Sequence, residues 1–185
     1  MKDDFDLKNL VESKKKRKNS RTKGNTFERK VCKILNEHFK TTEFIRSPGS
    51  GAFSTTHKLP EHLMFSGDLI TPKSFKFTIE CKKGYNKENI GSLFNPKSDL
   101  MSFIAQAEKD SVKINKNFLL IFQQDRKDIL CLFNEKKSLT LATYAENKTH
   151  VFLNFNNNRY MICRLEDLLE ITKTYNAWHL WYTSC

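Results

Sequence analysis

Long apolar runs are missing from this chain of 185 residues. The longest unbroken ones cover residues 118–122 and 129–133, against roughly 20 residues for a membrane-crossing helix. This argues against a membrane protein. No apolar leader follows Met1, so the expected setting is the cytoplasm, of a bacterium or of a host cell if a phage encodes the chain. Paired cysteines are missing too. Cys32, Cys81, Cys131, Cys163 and Cys185 are odd in number and scattered, with no C-x-x-C pair. That excludes a disulfide framework and a cysteine-based zinc site, although His57 and His62 have the spacing of a zinc-finger histidine pair. The first four cysteines read as buried apolar fillers. There is no internal repeat.

What the chain does have is positive charge and phenylalanine. It carries 32 Lys and Arg against 21 Asp and Glu, a net charge of +11. Hydrophobic residues make up 38%, and 15 Phe can anchor a core, so the chain is not wholly disordered. The excess charge has three readings: solubility, attraction to a membrane surface, or binding to nucleic acid. No basic amphipathic helix with an exposed aromatic edge supports the membrane reading. Nucleic acid is the favoured partner.

The charge is concentrated early. Residues 14–30 hold nine Lys and Arg and one acid, Glu28. Residues 13–24 contain no apolar side chain and cannot join a core. They read as a mobile basic arm that contacts phosphates, or more plainly as a solvated tail. A helix is predicted over 25–39, capped by Asn25 or Thr26, with Phe27, Val31, Ile34, Leu35 and Phe39 at helical spacing. At about 100° per residue, Glu28 falls between Leu35 and Phe39, inside the apolar face. A carboxylate there needs a neighbour to satisfy it, or serves a metal or a proton.

A short strand is predicted over 42–46, then a turn over 47–51 and an irregular insertion over 52–65. Strands over 67–71 and 75–83 form a hairpin. Phe75, Phe77, Ile79 and Cys81 alternate with Lys76, Thr78, Glu80 and Lys82, so four apolar side chains face the core and Glu80 shares a face with Lys82. Centring the turn on Pro72–Lys73 sets Asp68 opposite Thr78, on the Glu80 face. A helix over 98–115, strands over 118–122 and 129–133, a hairpin over 151–163 and a helix over 165–175 complete the reading. The aromatic end, 178–182, is expected to dock on the core or on a second copy.

Two carboxylates and a lysine on one hairpin face make chemical sense. Hard oxygen ligands bind Mg²⁺, which keeps waters and also accepts a phosphate oxygen. A lysine beside the ion orients a nucleophile or stabilises developing charge. The bland reading of an E-x-K pair is a solvated strand face. The combination with Asp68 twelve residues earlier and Glu28 upstream is what carries weight.

These stretches resemble the PD-(D/E)XK nuclease superfamily, and within it the archaeal and phage-type Holliday-junction resolvases. The resemblance rests on Lys23-Gly24-Asn25-Thr26-Phe27-Glu28-Arg29, Arg46-Ser47-Pro48-Gly49-Ser50-Gly51, Ser66-Gly67-Asp68-Leu69-Ile70 and Ile79-Glu80-Cys81-Lys82. It extends over the helix and strand of residues 98–122 and covers about residues 20–133. It implies an α/β fold: a restriction-endonuclease-like central mixed β-sheet flanked by helices. The implied organisation is a basic arm over 1–23, a nuclease core over 24–134, and an extension over 135–185 made of a β-hairpin and a helix.

The resemblance also implies roles. Asp68 and Glu80 are metal ligands, with the Cys81 backbone carbonyl. Lys82 is the catalytic lysine. Glu28 holds the metal directly or through water. Ser50 lies near the scissile phosphate, and Gln106 supports the site. The implied cofactor is Mg²⁺, with Mn²⁺ as a substitute. The implied substrate is branched or double-stranded DNA, not a small molecule, and the implied assembly is a homodimer that nicks a four-way junction in pairs. Lys14, Lys15, Lys16, Arg17, Lys18, Arg21, Lys23, Arg46 and Lys83 are the expected phosphate contacts. The sequence departs from the family pattern at Gly67, where proline is common, and in the sixteen residues between Ser50 and Gly67, which imply an extra substrate-binding loop. The alternatives are a nuclease of repair or restriction type and a DNA-binding module without activity.

Overall fold

The structure is a computed structural model that describes residues 20–48 and 67–183. Seven strands form one mixed sheet: β1 (Ile45–Arg46), β2 (Leu69–Ile70), β3 (Phe77–Lys83), β4 (Asn117–Gln123), β5 (Leu130–Asn134), β6 (His150–Phe155) and β7 (Asn158–Arg164). Their order is β1-β2-β3-β4-β5-β7-β6. Only the central β3–β4 pair is parallel. A parallel pair needs a crossover, and here that crossover contains the helix α2 (Asp99–Lys113). The other helices are α1 (Ser20–Phe39), α3 (Leu139–Ala145) and α4 (Leu165–Thr174). This is the restriction-endonuclease-like α/β fold expected from the sequence.

Both faces of the sheet are covered, which is why β3, β4 and β5 are buried along most of their length. On one face Phe77, Ile79, Leu119, Ile121, Phe133 and Met161 meet α1, α3 and α4. On the other, Phe118, Leu120, Leu132, Tyr160 and Ile162 meet Leu100, Ile104 and Ala107 of α2. The thiols of Cys32, Cys81, Cys131 and Cys163 are free and buried, as expected.

Several predicted boundaries move, each for a visible reason. Helix α1 starts at Ser20 rather than at residue 25. Its first turn is polar and exposed, so apolar periodicity could not reveal it. The Lys23 ammonium pairs with Asp125 at 3.3 Å, and Thr26 Oγ1 donates to the Thr22 carbonyl at 2.8 Å. Asn25 and Thr26 are therefore inside the helix and cap nothing.

The first strand shrinks to β1 because the Phe44 amide donates to Asn36 Oδ1 at 3.0 Å and its carbonyl accepts from Asn36 Nδ2 at 2.9 Å. Strand β2 ends at Ile70, ahead of Thr71-Pro72. Beyond it the chain's last residues take its place: the Lys76 amide donates to the Trp181 carbonyl, and Phe75 bridges Tyr182. The predicted aromatic docking is thus seen within one copy. Trp181 is fully buried and its Nε1 donates to Thr172 Oγ1 at 2.6 Å.

The hairpin β6–β7 turns through Asn156 and Asn157 at φ 47° and 59°. Asparagine tolerates this left-handed pair, which matches strand twist. Helix α3 was not anticipated, being a single short segment with little periodicity. Residues 1–19 and 49–66 lie outside the described residues. With them go most of the basic arm (Lys14, Lys15, Lys16, Arg17, Lys18), Ser50, His57 and His62.

Candidate active site

The β2–β3 pairing organises the site. Leu69 pairs with Ile79 and the Asp68 amide donates to the Ile79 carbonyl at 2.8 Å, which sets Asp68 opposite Glu80. The expected partner was Thr78, so the register differs by two. A shift of two preserves the face, whereas a shift of one inverts it, so Asp68 still shares the Glu80 face. The cause of the shift lies at Gly67. Its φ is +88°, and a Cβ there would stand 2.5 Å from the Ile79 carbonyl oxygen and 2.7 Å from Thr78 Oγ1. Only glycine allows this approach, and it delivers Asp68 to β3. The expected proline position is filled by a residue with a different task.

Three carboxylates are buried close by: Glu28, Asp68 and Glu80 expose 6%, 7% and 5% of their surface. Asp68 Oδ2 accepts the Cys81 amide at 2.8 Å. The Cys81 carbonyl lies on the same strand edge as that amide. Glu80 Oε1 accepts from Lys82 Nζ at 2.6 Å and from Gln106 Nε2 at 3.1 Å. Gln106 Oε1 in turn accepts from Lys82 Nζ at 3.2 Å. Gln106 comes from α2, which crosses the face that Glu80 occupies. It closes a three-membered ring that holds the lysine.

Glu28 meets a neighbour that the sequence did not reveal. Its Oε2 accepts a close hydrogen bond from Arg46 Nε, and Arg46 Nη2 donates to Asn25 Oδ1 at 2.9 Å. Arg46 therefore belongs to the carboxylate site as well as to the expected phosphate contacts. Lys83 is tied to Gln123 Oε1 and the Gln124 carbonyl at 3.1 Å each. Arg21 and Lys23 lie on the first turns of α1.

The electrostatics are those of a site built to repel itself. Burial, reinforced by the charge of Asp68, pushes the Glu80 carboxyl up to about 7, against the pull of Lys82. Burial and Asp68 also raise Glu28, against Arg46. Burial works against the Lys82 ammonium, but Glu80 and Asp68 outweigh it and its pKa is raised. Lys82 stays charged while its carboxylate partner is poised near neutrality.

A divalent cation suits this donor set. The oxygens are hard, the two facing carboxylates repel, and a cation between them removes the repulsion. Among the described residues no three His, Cys, Asp or Glu side chains gather into a cage. Mg²⁺ does not ask for one, since it binds through one or two carboxylates and keeps waters or phosphate oxygens.

Buried carboxylates beside a lysine thus stand midway along the central parallel pair of a mixed α/β sheet. The family described as "Phage putative PDDEXK endonuclease" matches residues 19–177, and the chain belongs to it. It is 34% identical over 140 residues to Protein D14 of Escherichia phage T5, covering 73% of this chain and 82% of that protein. No solved structure matches significantly. Among the described residues no helix is long and apolar enough to cross a membrane.

Proposed function

We propose that the protein is a Mg²⁺-dependent endonuclease that resolves four-way DNA junctions by paired nicking, leaving 5′-phosphate ends. The observation that carries the chemistry is the register that faces Asp68 with Glu80, with Lys82 clamped between Glu80 and Gln106. Asp68, Glu80 and the Cys81 carbonyl would hold the cation, with Glu28 contributing through water. Bound there, the cation supplies a water of lowered pKa and offsets charge on the phosphate.

The rest is done by the chain's own groups. Lys82 Nζ orients the attacking oxygen and stabilises the charge that develops on the phosphate. Gln106 fixes the rotamer of that lysine. Arg46 neutralises Glu28, so the buried acids do not drive the DNA away. Cutting two strands of a symmetric junction calls for two sites, which a two-fold homodimer supplies. Branched substrate and dimer rest on the resemblance to resolvases. The host-cell cytoplasm fits a phage nuclease family.

The test is cleavage of a labelled four-way junction beside a linear duplex of the same sequence, with Mg²⁺ and with EDTA. Paired nicks confined to the junction and dependent on metal are expected. Cutting of both substrates would move the assignment to a repair or restriction nuclease. Tight binding without cutting would reduce the protein to a DNA-binding module.

A further inference from the structure

Next to the carboxylate site lies a cavity of about 270 Å³ that the chemistry above leaves unused. Leu93, Leu100, Phe122, Leu130 and Ile162 line it, and Val151 of β6 lines it too. Lys82 also lines it, so the catalytic lysine belongs to both spaces. Two aromatic rings connect them. Lys82 Nζ stands 5.1 Å over the Phe103 ring, and Phe103 packs edge-on against Tyr85 with centroids 4.6 Å apart.

The segment that carries Tyr85 is held under constraint. Tyr85 sits at φ 52°, an unusual conformation for an aromatic residue. Gln124 Nε2 donates to the carbonyls of Tyr85 and Glu88 and ties the segment to the end of β4. Glu88, another lining residue, carries the informative atom. Its Oε2 is sealed from water and has no hydrogen-bond partner among the described residues. A buried carboxylate oxygen without a donor is costly and calls for one.

We infer that this cavity receives one unstacked nucleobase of the DNA, beside the phosphate that is cut, with the Glu88 carboxylate turning out of its sealed position to accept a hydrogen bond from an amino group on the base edge. This rests on the nuclease reading and names its substrate more closely. A base is flat and apolar on its faces and polar on its rim, which matches apolar walls, two aromatic rings and one acceptor. The volume lies below the roughly 300–1,000 Å³ of sites for drug-sized ligands and suits a single heterocycle. Lys82 and Lys127 line the space together with the acids Glu88 and Asp128. An apolar side chain from a partner protein would leave Glu88 Oε2 without a donor.

A base can enter only when it is unpaired. Branch points, flaps and single strands present such a base, and a continuous duplex does not. Cytosine, adenine and guanine bear the amino group that Glu88 asks for, and thymine lacks it.

The experiment has two arms. In the first, kcat/KM is measured on branched DNA with either an ordinary base or an abasic residue at each nucleotide flanking the cut. Wild type, V151W and E88Q are compared. Val151 is 44% exposed, so tryptophan there fills the cavity without disturbing the core. An abasic residue at one flanking position is expected to slow the wild type about tenfold. V151W should slow cutting of the intact substrate by a similar factor and add nothing on the abasic one. E88Q should narrow the preference for cytosine over thymine. If V151W cuts intact DNA at the wild-type rate, or the two losses multiply, the inference is overturned while the nuclease reading stands.

The second arm needs no cleavage. DNA carrying 5-iododeoxycytidine at the branch-point nucleotides is irradiated with the protein in EDTA, and the attachment sites are mapped by mass spectrometry. Attachment to Tyr85 or Phe103 is expected. Attachment there in a protein that cuts no DNA keeps the base pocket and removes the nuclease reading. Attachment only elsewhere, or none from bound DNA, overturns the pocket. So does a V151W variant that changes sedimentation and leaves DNA handling intact, which would give the cavity to a second copy.

Discussion

The chain enters β3 through Phe75 and Phe77, both fully buried, whose rings lie 5.9 and 5.7 Å from the indole of Trp181. Three residues after Phe77 the same strand carries Glu80, also buried, facing Asp68, which immediately precedes the two-residue β2. At the aromatic end ring packing and a satisfied indole N–H favour the folded state. At the carboxylate end like charges are packed together, and one lysine and one arginine only partly offset them. One end of the strand makes the fold and the other spends stability on a site, as functional centres do.

The sharpest way to break that contrast is to truncate each end in turn. Trp181→Ala should cost about 3–5 kcal/mol, read as a lowered denaturation midpoint, with residual activity falling only as the folded fraction falls. Glu80→Gln should do the reverse. Cleavage should drop about 10³-fold, some 4 kcal/mol in the barrier, while junction binding persists and stability in EDTA rises. A Glu80→Gln protein that cuts at the wild-type rate would end the assignment of the site.

A substitution at the seam between the two ends should cost less. Gly67→Ala puts a methyl group against the β3 backbone and strains a positive φ, at about 1–3 kcal/mol. Because Gly67 delivers Asp68, activity should fall further than stability alone explains, and comparing kcat at matched folded fraction checks this. Gln106→Ala is smaller still. It frees Lys82 from one of its two restraints and should lower kcat about 10- to 100-fold, the range for a residue that orients another. The apparent affinity for DNA should hold, and a shifted pH–rate profile should mark the loosened lysine.

The same contrast governs what the sequence disclosed. The alternation of Phe75, Phe77, Ile79 and Cys81 with Thr78, Glu80 and Lys82 is a local pattern, so the strand and both of its faces were legible. The helical repeat from Phe27 to Phe39 likewise showed Glu28 turned inward. Turn chemistry alone points to a β2–β3 register two residues away, while the actual determinant is the contact of Gly67 with Ile79 and Thr78. Such a contact exists only once the strands meet. In the sequence Arg46 reads as a phosphate contact, and its bond to Glu28 depends on β1 packing beside α1. Tyr85, Phe103 and Glu88 converge from a loop and a helix, and no spacing in the chain marks them as neighbours. Local periodicity reaches the faces of elements; what closes between elements it does not reach.

The smallest effect is a pair of opposed pH dependences. His38 is buried against Phe39 and Trp178. Burial, helped by Lys173, lowers its pKa from 6.5 to about 4. Its Nε2 has no hydrogen-bond partner among the described residues. The unfolded chain takes up a proton there before the folded one does. The contribution of His38 is therefore full above pH 6.5 and is lost as the pH falls toward 4. Glu80 behaves oppositely. Its folded pKa, raised from 4.5 to about 7, means that its contribution is full below pH 4.5 and is lost as the pH rises through 7. The shifts cap each contribution at about 3 kcal/mol across its window. Both windows cover roughly pH 4.5–6.5, so thermal melts in EDTA from pH 4 to pH 8.5 should show opposite changes there: His38→Phe removes a rise of stability with pH, and Glu80→Gln removes a fall. Added Mg²⁺ should raise the melting temperature of the wild type at pH 8 and leave Glu80→Gln nearly unmoved. A fall of stability between about pH 4.5 and pH 7 that persists in Glu80→Gln would mean that the strain in that part of β3 resides elsewhere than in the paired carboxylates.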